Sequence, residues 1–418
     1  MFSPMHYHKQ MNNRRYSFPA WIPFLLLWLV SCLTFTLGVK KVGFAIWGDT
    51  HYYYAYTRSI VIDHDINFDN EAHQPKYPFP NPPVVIKATG LISNNFSPGI
   101  ALVWIPGFVI GEAASRFAQV LSFPITTDGY SVLTQLIVAY TAVGCSVVGL
   151  ALNWLSLKKL FTKKIAWLTV GVLFLTSQLL YYTMLDPLNS HSGEFLFASI
   201  VLWMCVQLWK NHTQRWWFLG LLGAVGGFLG LIRNQDLLTI IPVAGLVACT
   251  ATNWQDRSWK ITLLMAKAAA VLLIQVWFTW ILYHQFGSPY EITGQHLHWL
   301  QPDFLRVLFS EGNGFFRFAP IAVLALAGLW SWRKQELVLA TVGLGVFLLQ
   351  LYVVASWGLE IIGGPYGSRM FIGTLPFLAL GLAHVMTSMQ KKLAALSLLT
   401  LLLTSWNVFQ ILWMLKHS

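Results

Sequence analysis

Charge is what this sequence has least of. Only 10% of its 418 residues are Asp, Glu, Lys or Arg, against roughly 25% in a soluble globular chain, and that deficit excludes an ordinary water-soluble domain. Acids are scarcer than bases, 16 against 27. Short segments of alternating apolar and polar residues are missing, which excludes a membrane β-barrel. No repeat at the solenoid periods of about 20–50 residues is apparent, and no change of composition marks off a soluble domain. The four cysteines (Cys32, Cys145, Cys205 and Cys249) each fall inside an apolar block without metal-ligand spacing. They read as small hydrophobic residues and leave the redox compartment open.

What the chain has in quantity is apolar residues, 56% of the total, gathered in long blocks. A helix needs about 20 mostly apolar residues to cross a bilayer, and helices are the form that satisfies the backbone within one segment. Eleven blocks read as spans: approximately 18–37, 130–155, 165–183, 192–209, 216–232, 237–251, 261–283, 318–332, 336–355, 369–388 and 393–415. The expected fold class is an all-α polytopic membrane protein with about eleven transmembrane helices, one domain over 1–418. The first block is too long for a signal h-region and no small-residue cleavage site follows it. It reads as an uncleaved span preceded by a cytoplasmic N-terminus, 1–17. GIALVWIPGFVIG (99–111) is apolar but too short to span, and reads as a helix lying in the membrane surface. The Pro-rich KYPFPNPP (76–83) cannot be the interior of a regular element.

Charge tests this threading independently. With the N-terminus inside and loops assigned alternately, the inside segments hold 16 of the 27 bases and only two of the 16 acids, Asp256 and Glu336. Cytoplasmic loops are enriched in Lys and Arg, so the remaining loops face outward: 42–129, 184–191, 284–317 and 356–368 form a periplasmic layer of a bacterial inner membrane protein. The net charge of +11 arises in these topology clusters, which points to membrane lipids as partners and away from nucleic acid.

Ionisable groups close to spans are costly and mark candidate sites. Asp49, in WGDTHYYYAY (47–56), is either a general base toward an acceptor hydroxyl or the cap of a helix starting at Thr50 or His51. In LDPLNSHSGEF (185–195), Asp186, His191 and Glu194 crowd a minimal turn. They suit phosphate binding, proton sharing or a metal; the plainer alternative is an Asp-Pro turn with Ser190 or Ser192 capping the next helix. A divalent metal on Asp49, Asp186 and His191 is the alternative to a site with no metal, and the latter is the reading adopted. IIGGPYGSRMF (361–371) is a Gly-rich turn opening onto a helix start near Ser368, an arrangement suited to phosphate. Arg369 there is either a planar cationic fork for phosphate oxygens or a snorkelling interfacial arginine. Lys87, Arg233, Arg306 and Arg317 are further cations on the same side; within RNQD (233–236), Arg233 and Asp236 pair in the plainer reading. The aromatics of FSEGNGFFRFAP (309–320) read as an interfacial belt, and HLHWL (296–300) supports no ligand.

Taken in order, these segments resemble the C-type (GT-C) integral membrane glycosyltransferases, in particular bacterial relatives of the protein O-mannosyltransferases and the lipid A aminoarabinose transferases. WGDTHYYYAYTRSIVIDHDINFDNE (47–71) looks like that family's first outer loop, and NNFSPGIALVWIPGFVIG (94–111) like its surface helix. SHSGEF (190–195) is similar to its Ser-His turn, and SWGLEIIGGPYGSRMFIGTLPFLALGLA (356–383) to its late outer loop. The resemblance implies transfer of a sugar from a polyprenyl-phosphate carrier to a glycan, lipid or protein acceptor on the periplasmic side. It implies Asp49 as catalytic base, Asp186 and His191 flanking the same cavity, and Arg369 at the carrier phosphate, with Lys87 and Arg233 as supporting cations. The chain departs from many members in carrying no sizeable soluble domain after the last span. A transporter or lipid flippase is the competing class, and an envelope assembly subunit the third.

Overall fold

The computed structural model describes residues 19–211, 213, 215–287, 289–292, 294, 296–357 and 366–417. The N-terminal segment expected at 1–17 and most of the 356–368 loop lie outside the described residues. Among the described residues the named elements are all helical. The chain opens with α1 (Ile22–Val42), α2 (Thr50–Arg58), α3 (Asp69–Ala72), α4 (Gly99–Val120), α5 (Val132–Leu160), α6 (Lys163–Leu175), α7 (Leu179–Met184), α8 (His191–Asn211) and α9 (Trp216–Ile232). A 3₁₀ turn, Asn234–Thr239, leads into α10 (Ile240–Cys249), followed by α11 (Trp254–Tyr283), α12 (Pro289–Ile292), α13 (Phe304–Phe309), α14 (Phe315–Phe318), α15 (Ile321–Trp332) and α16 (Leu337–Ala355). A second 3₁₀ turn, Arg369–Thr374, opens α17 (Leu375–Ser388), and α18 (Leu393–His417) ends the chain.

Among the described residues, eight helices are long and apolar enough to cross a membrane, so the expected eleven continuous spans are not reached. The blocks at 216–232, 237–251 and 318–332 form apolar helices of 10–17 residues. The block at 165–183 is broken between α6 and α7. There the Thr176 and Ser177 hydroxyls donate back to the Val172 and Leu173 carbonyls at 2.7 and 2.6 Å. Asn407 of α18 donates its amide to the carbonyls of Leu175 and Ser177 at 2.9 and 3.0 Å. Backbone polar groups freed inside a membrane domain need such side-chain partners, and Asn407 supplies them from across the bundle. The surface helix expected at 99–111 continues to Val120, giving a 22-residue helix that qualifies by length and composition as a span. Its second half lies beside the start of α5, where Ser115 hydrogen-bonds Ser131 at 2.6 Å and Thr134 at 2.9 Å.

Close helix packing here depends on small residues, as it does generally where lipid offers no hydrophobic drive. A methyl group on Gly223 of α9 would lie 2.2 Å from the Leu264 carbonyl oxygen of α11, and one on Gly227 would lie 2.5 Å from that of Ala268. The two glycines, four residues apart, let α9 and α11 touch backbone to backbone.

The bundle has two chemically distinct ends. At one, the loops expected inside meet: Lys159 donates to Asn211 at 3.1 Å, Lys210 pairs with Glu336, and the Phe161 and Trp332 rings sit 5.4 Å apart. The loops expected outside gather at the other. The segment 42–129 packs there on α11 through an aromatic cluster that includes Tyr52, Tyr56, Phe68, Phe79, Phe278 and Tyr283. Buried Arg58 ties this layer together, donating to Glu71 at 2.6 Å and to the Asp128 carbonyl at 2.8 Å.

Candidate functional site

Asp49 ends the turn after α1 and precedes α2 without capping it; its side chain makes no hydrogen bond to that helix. Instead its Oδ2 receives Nη2 of Arg369 at 2.6 Å, in an ion pair with side chains 29% and 15% exposed. Asp49 therefore does not cap α2 with its side chain, and Arg369 turns its guanidinium to Asp49. The Thr50 hydroxyl donates to the Leu188 carbonyl, anchoring the start of α2 to the turn that carries Asp186.

Asp49 also faces a cavity of about 700 Å³. The Pro-rich stretch forms one wall (Phe79, Pro80, Pro82, Pro83), and Tyr283 at the end of α11 with Gln285 beyond it forms another. Asn81 donates to the Tyr52 hydroxyl at 3.3 Å within this wall. The segment that cannot be a regular element thus becomes the rim of a cavity.

Asp186 is buried, 3% exposed, within electrostatic range of both Arg369 and Asp49. Burial pushes its carboxyl up to about 8, an effect that Arg369 opposes and Asp49 reinforces. At neutral pH this acid carries its proton, so the Asp49–Arg369 pair sees a neutral neighbour.

Behind this pair lies a fully buried polar cluster. His191 Nδ1 sits 2.7 Å from Glu194 Oε2, and its Nε2 sits 3.4 Å from Arg233 Nη1. Because a guanidinium only donates, this arrangement places the imidazole proton on Nδ1. Arg233 also donates to Ser190 Oγ at 2.8 Å and lies 3.6 Å from Glu194 Oε2. Tyr53 of α2 donates to the same Ser190 at 3.2 Å. Glu194 Oε1 accepts the Gly373 N–H at 2.6 Å, and the Asp236 carboxyl lies close enough to act electrostatically on that of Glu194.

The structure thus brings Asp49, Asp186 and Arg369 together, with His191 and Arg233 in the layer behind. Of the predicted site residues only Asp49 lines this cavity: Asp186, His191, Arg233 and Arg369 are not part of its wall, and Lys87 is exposed on the loop beyond Ile86. Both ring nitrogens of His191 are engaged and the Asp49 carboxylate holds Arg369, so the ligand set Asp49–Asp186–His191 is not assembled. Among the described residues no three His, Cys, Asp or Glu side chains converge on a metal-sized position. Sequence reading missed Gln350, whose amide donates to the Met370 carbonyl at 2.6 Å, and the tie between Asp236 and Glu194. The available signal was a polar residue within an apolar block.

No protein-family model and no curated protein matches the chain. Among solved structures it is similar to ArnT from Cupriavidus metallidurans bound to undecaprenyl phosphate, at 15% identity and a TM-score of 0.52, over 87% of this chain and 58% of that one. It is also similar to the oligosaccharyltransferase AglB from Archaeoglobus fulgidus in complex with an inhibitory peptide and a dolichol-phosphate, at 12% identity and a TM-score of 0.49, over 95% of this chain and 56% of that one. The expected GT-C resemblance holds at the level of fold, and the chain spans 58% of the length of the ArnT structure.

Proposed function

We propose that this chain is an inverting glycosyltransferase. It moves a sugar from a polyprenyl-phosphate carrier to an acceptor hydroxyl on the periplasmic side of the inner membrane. The observation that carries this reading is the 2.6 Å contact between Asp49 and Arg369 at the edge of a cavity. It joins a carboxylate and a guanidinium, the two groups the reaction needs, from opposite ends of the chain. The fold shared with ArnT, solved with undecaprenyl phosphate, supports the class of donor.

In their 2.6 Å pair Asp49 and Arg369 neutralise each other. A phosphate entering the site competes with Asp49 for Arg369, because a bidentate guanidinium–phosphate contact is among the stronger polar interactions. As Arg369 turns to the phosphate, the Asp49 carboxylate is freed to accept the proton of the acceptor hydroxyl. That oxygen forms its bond to the anomeric carbon while the bond from carbon to phosphate oxygen breaks, and the electron pair leaves with the polyprenyl phosphate. Arg369 meets charge that grows on the phosphate as the bond breaks, the kind of interaction that usually contributes most to catalysis. One displacement inverts the anomeric centre.

The transporter alternative calls for a polar path through the midplane. The buried ionisable groups Asp186, His191, Glu194, Arg233 and Asp236 instead share one end of the bundle, and buried Lys260 is paired with Asp256 at 2.8 Å near the other. The test is mass analysis of lipids that co-purify with the protein, combined with transfer assays in membranes. A bound polyprenyl-phosphate sugar is expected, and near-normal transfer by Asp49→Asn would remove Asp49 as the base.

A further inference from the structure

We infer that Glu194 is a positioning residue that sets where Arg369 sits. The inference rests on the reading of Arg369 as the group that meets the donor phosphate. Arg369 opens the 3₁₀ turn Arg369–Thr374, and a turn of this kind has few internal hydrogen bonds to fix it. Besides the ion pair with Asp49, contacts from several different elements hold it from outside. Glu194 Oε1 of α8 holds the Gly373 N–H at 2.6 Å, Gln350 of α16 holds the Met370 carbonyl at 2.6 Å, and Arg233 reaches the Met370 sulfur at 2.9 Å.

Glu194 is the member that also binds the buried cluster behind the site. Its second oxygen takes His191 at 2.7 Å and lies 3.6 Å from Arg233, and its carboxyl meets that of Asp236. The fit at Gly373 is close: a Cβ there would lie 2.9 Å from Glu194 Oε1 and 3.1 Å from Asp236 Oδ1. Any side chain at position 373 would push the turn away from the carboxylate. Glu194 touches neither cavity nor Asp49; its reach to the chemistry runs through the backbone of the turn to the guanidinium. A small displacement of a group that binds a reacting phosphate is costly in rate and in binding.

The test uses the full chain in lipid nanodiscs, with kcat and KM for the polyprenyl-phosphate sugar and for the acceptor measured separately. Glu194→Ala is expected to raise donor KM about tenfold while acceptor KM stays within about twofold. Glu194→Gln, which keeps an oxygen for the Gly373 N–H but turns its NH2 toward the His191 and Arg233 donors, should recover part of the loss. Gly373→Ala should show the same donor-selective defect, so the inference stays testable if Glu194→Ala folds poorly. The decisive measurement is the cycle with Arg369→Ala. If Glu194 acts through Arg369, adding Glu194→Ala to Arg369→Ala raises donor KM no further. Additive effects, or a lower kcat at unchanged donor KM in Glu194→Ala, would overturn the inference alone. An unchanged donor KM in Arg369→Ala itself would remove the reading of the phosphate site, and the inference with it.

Discussion

Arg369 and Asp49 hold each other at 2.6 Å although they enter the site from the penultimate helix and the first outer loop. A base that is ion-paired is a poor base until its partner is drawn elsewhere; on the proposed mechanism the donor phosphate supplies the competing anion, and the pair would link donor binding to activation of the acceptor.

Asp49→Asn separates the two halves of that link. Transfer should fall to background, because the amide cannot take the hydroxyl proton. Binding of sugar-free polyprenyl phosphate should instead tighten several-fold, since Arg369 no longer has to leave an anionic partner, a release worth on the order of 1 kcal/mol. Titration of the purified protein with the lipid phosphate measures it. Weaker binding would mean that Asp49 serves mainly to hold Arg369 in place.

Arg369→Lys keeps the charge and removes the planar fork. Lysine is a point charge on a flexible stem and cannot grip two phosphate oxygens at once. Transfer should drop roughly 10- to 100-fold, with donor KM raised more than acceptor KM, a loss of about 1–3 kcal/mol. Unchanged kinetics would place the phosphate elsewhere.

Much of this arrangement was legible in the sequence, and the exceptions have physical causes. Basic clusters such as Lys158–Lys159 and Lys163–Lys164 placed the loops on two ends, and the structure gathers them there. The pairing of Asp49 with Arg369 could be expected only through resemblance, because neither spacing nor periodicity connects positions so far apart. The length of α4 was misjudged because Glu112 and Arg116 interrupt its apolar run. In the structure they pair one turn apart at 3.2 Å, and the helix continues to Val120. Arg233 and Asp236 belong to a four-residue cluster: Arg233 faces Glu194 and His191, and Asp236 lies within electrostatic range of both Arg233 and Glu194. Only the fold, which brings 191–194 against 233–236, makes that cluster possible.

Asp186 gives the pH dependence a sign. Burial lifts its carboxyl from 3.8 to about 8, against the pull of Arg369. Between those values the folded protein holds a proton that the unfolded chain has lost, so this group's contribution to stability is full below about pH 4 and declines as pH rises toward 8. The slope is at most about 1.4 kcal/mol per pH unit. Thermal unfolding in detergent across this range should show that decline, and Asp186→Asn should flatten it. Above about pH 8 the newly ionised Asp186 competes for Arg369. Wild-type transfer should then fall with a basic limb that Asp186→Asn moves to higher pH; an identical limb in the variant would assign it to another group.

Gly227 tests the packing that carries the site rather than the site itself. Its hydrogen occupies a place where a methyl carbon would sit 2.5 Å from the Ala268 carbonyl oxygen, and Gly223 makes the same approach to Leu264 one turn away. Backbone cannot rotate aside as a side chain does, so Gly227→Val must push α9 from α11. Overpacking of this kind typically costs about 1–3 kcal/mol. The displacement would run along α9 to its end at Ile232, next to Arg233. Gly227→Val should therefore lower the unfolding temperature and, in the fraction that remains folded, raise donor KM more than acceptor KM. Gly38, which has nothing within 4 Å of its would-be methyl, is the control: Gly38→Val should leave both constants unchanged. If Gly227→Val lowers stability yet leaves the surviving enzyme kinetically normal, the buried cluster at Arg233 is insulated from the helix that leads to it.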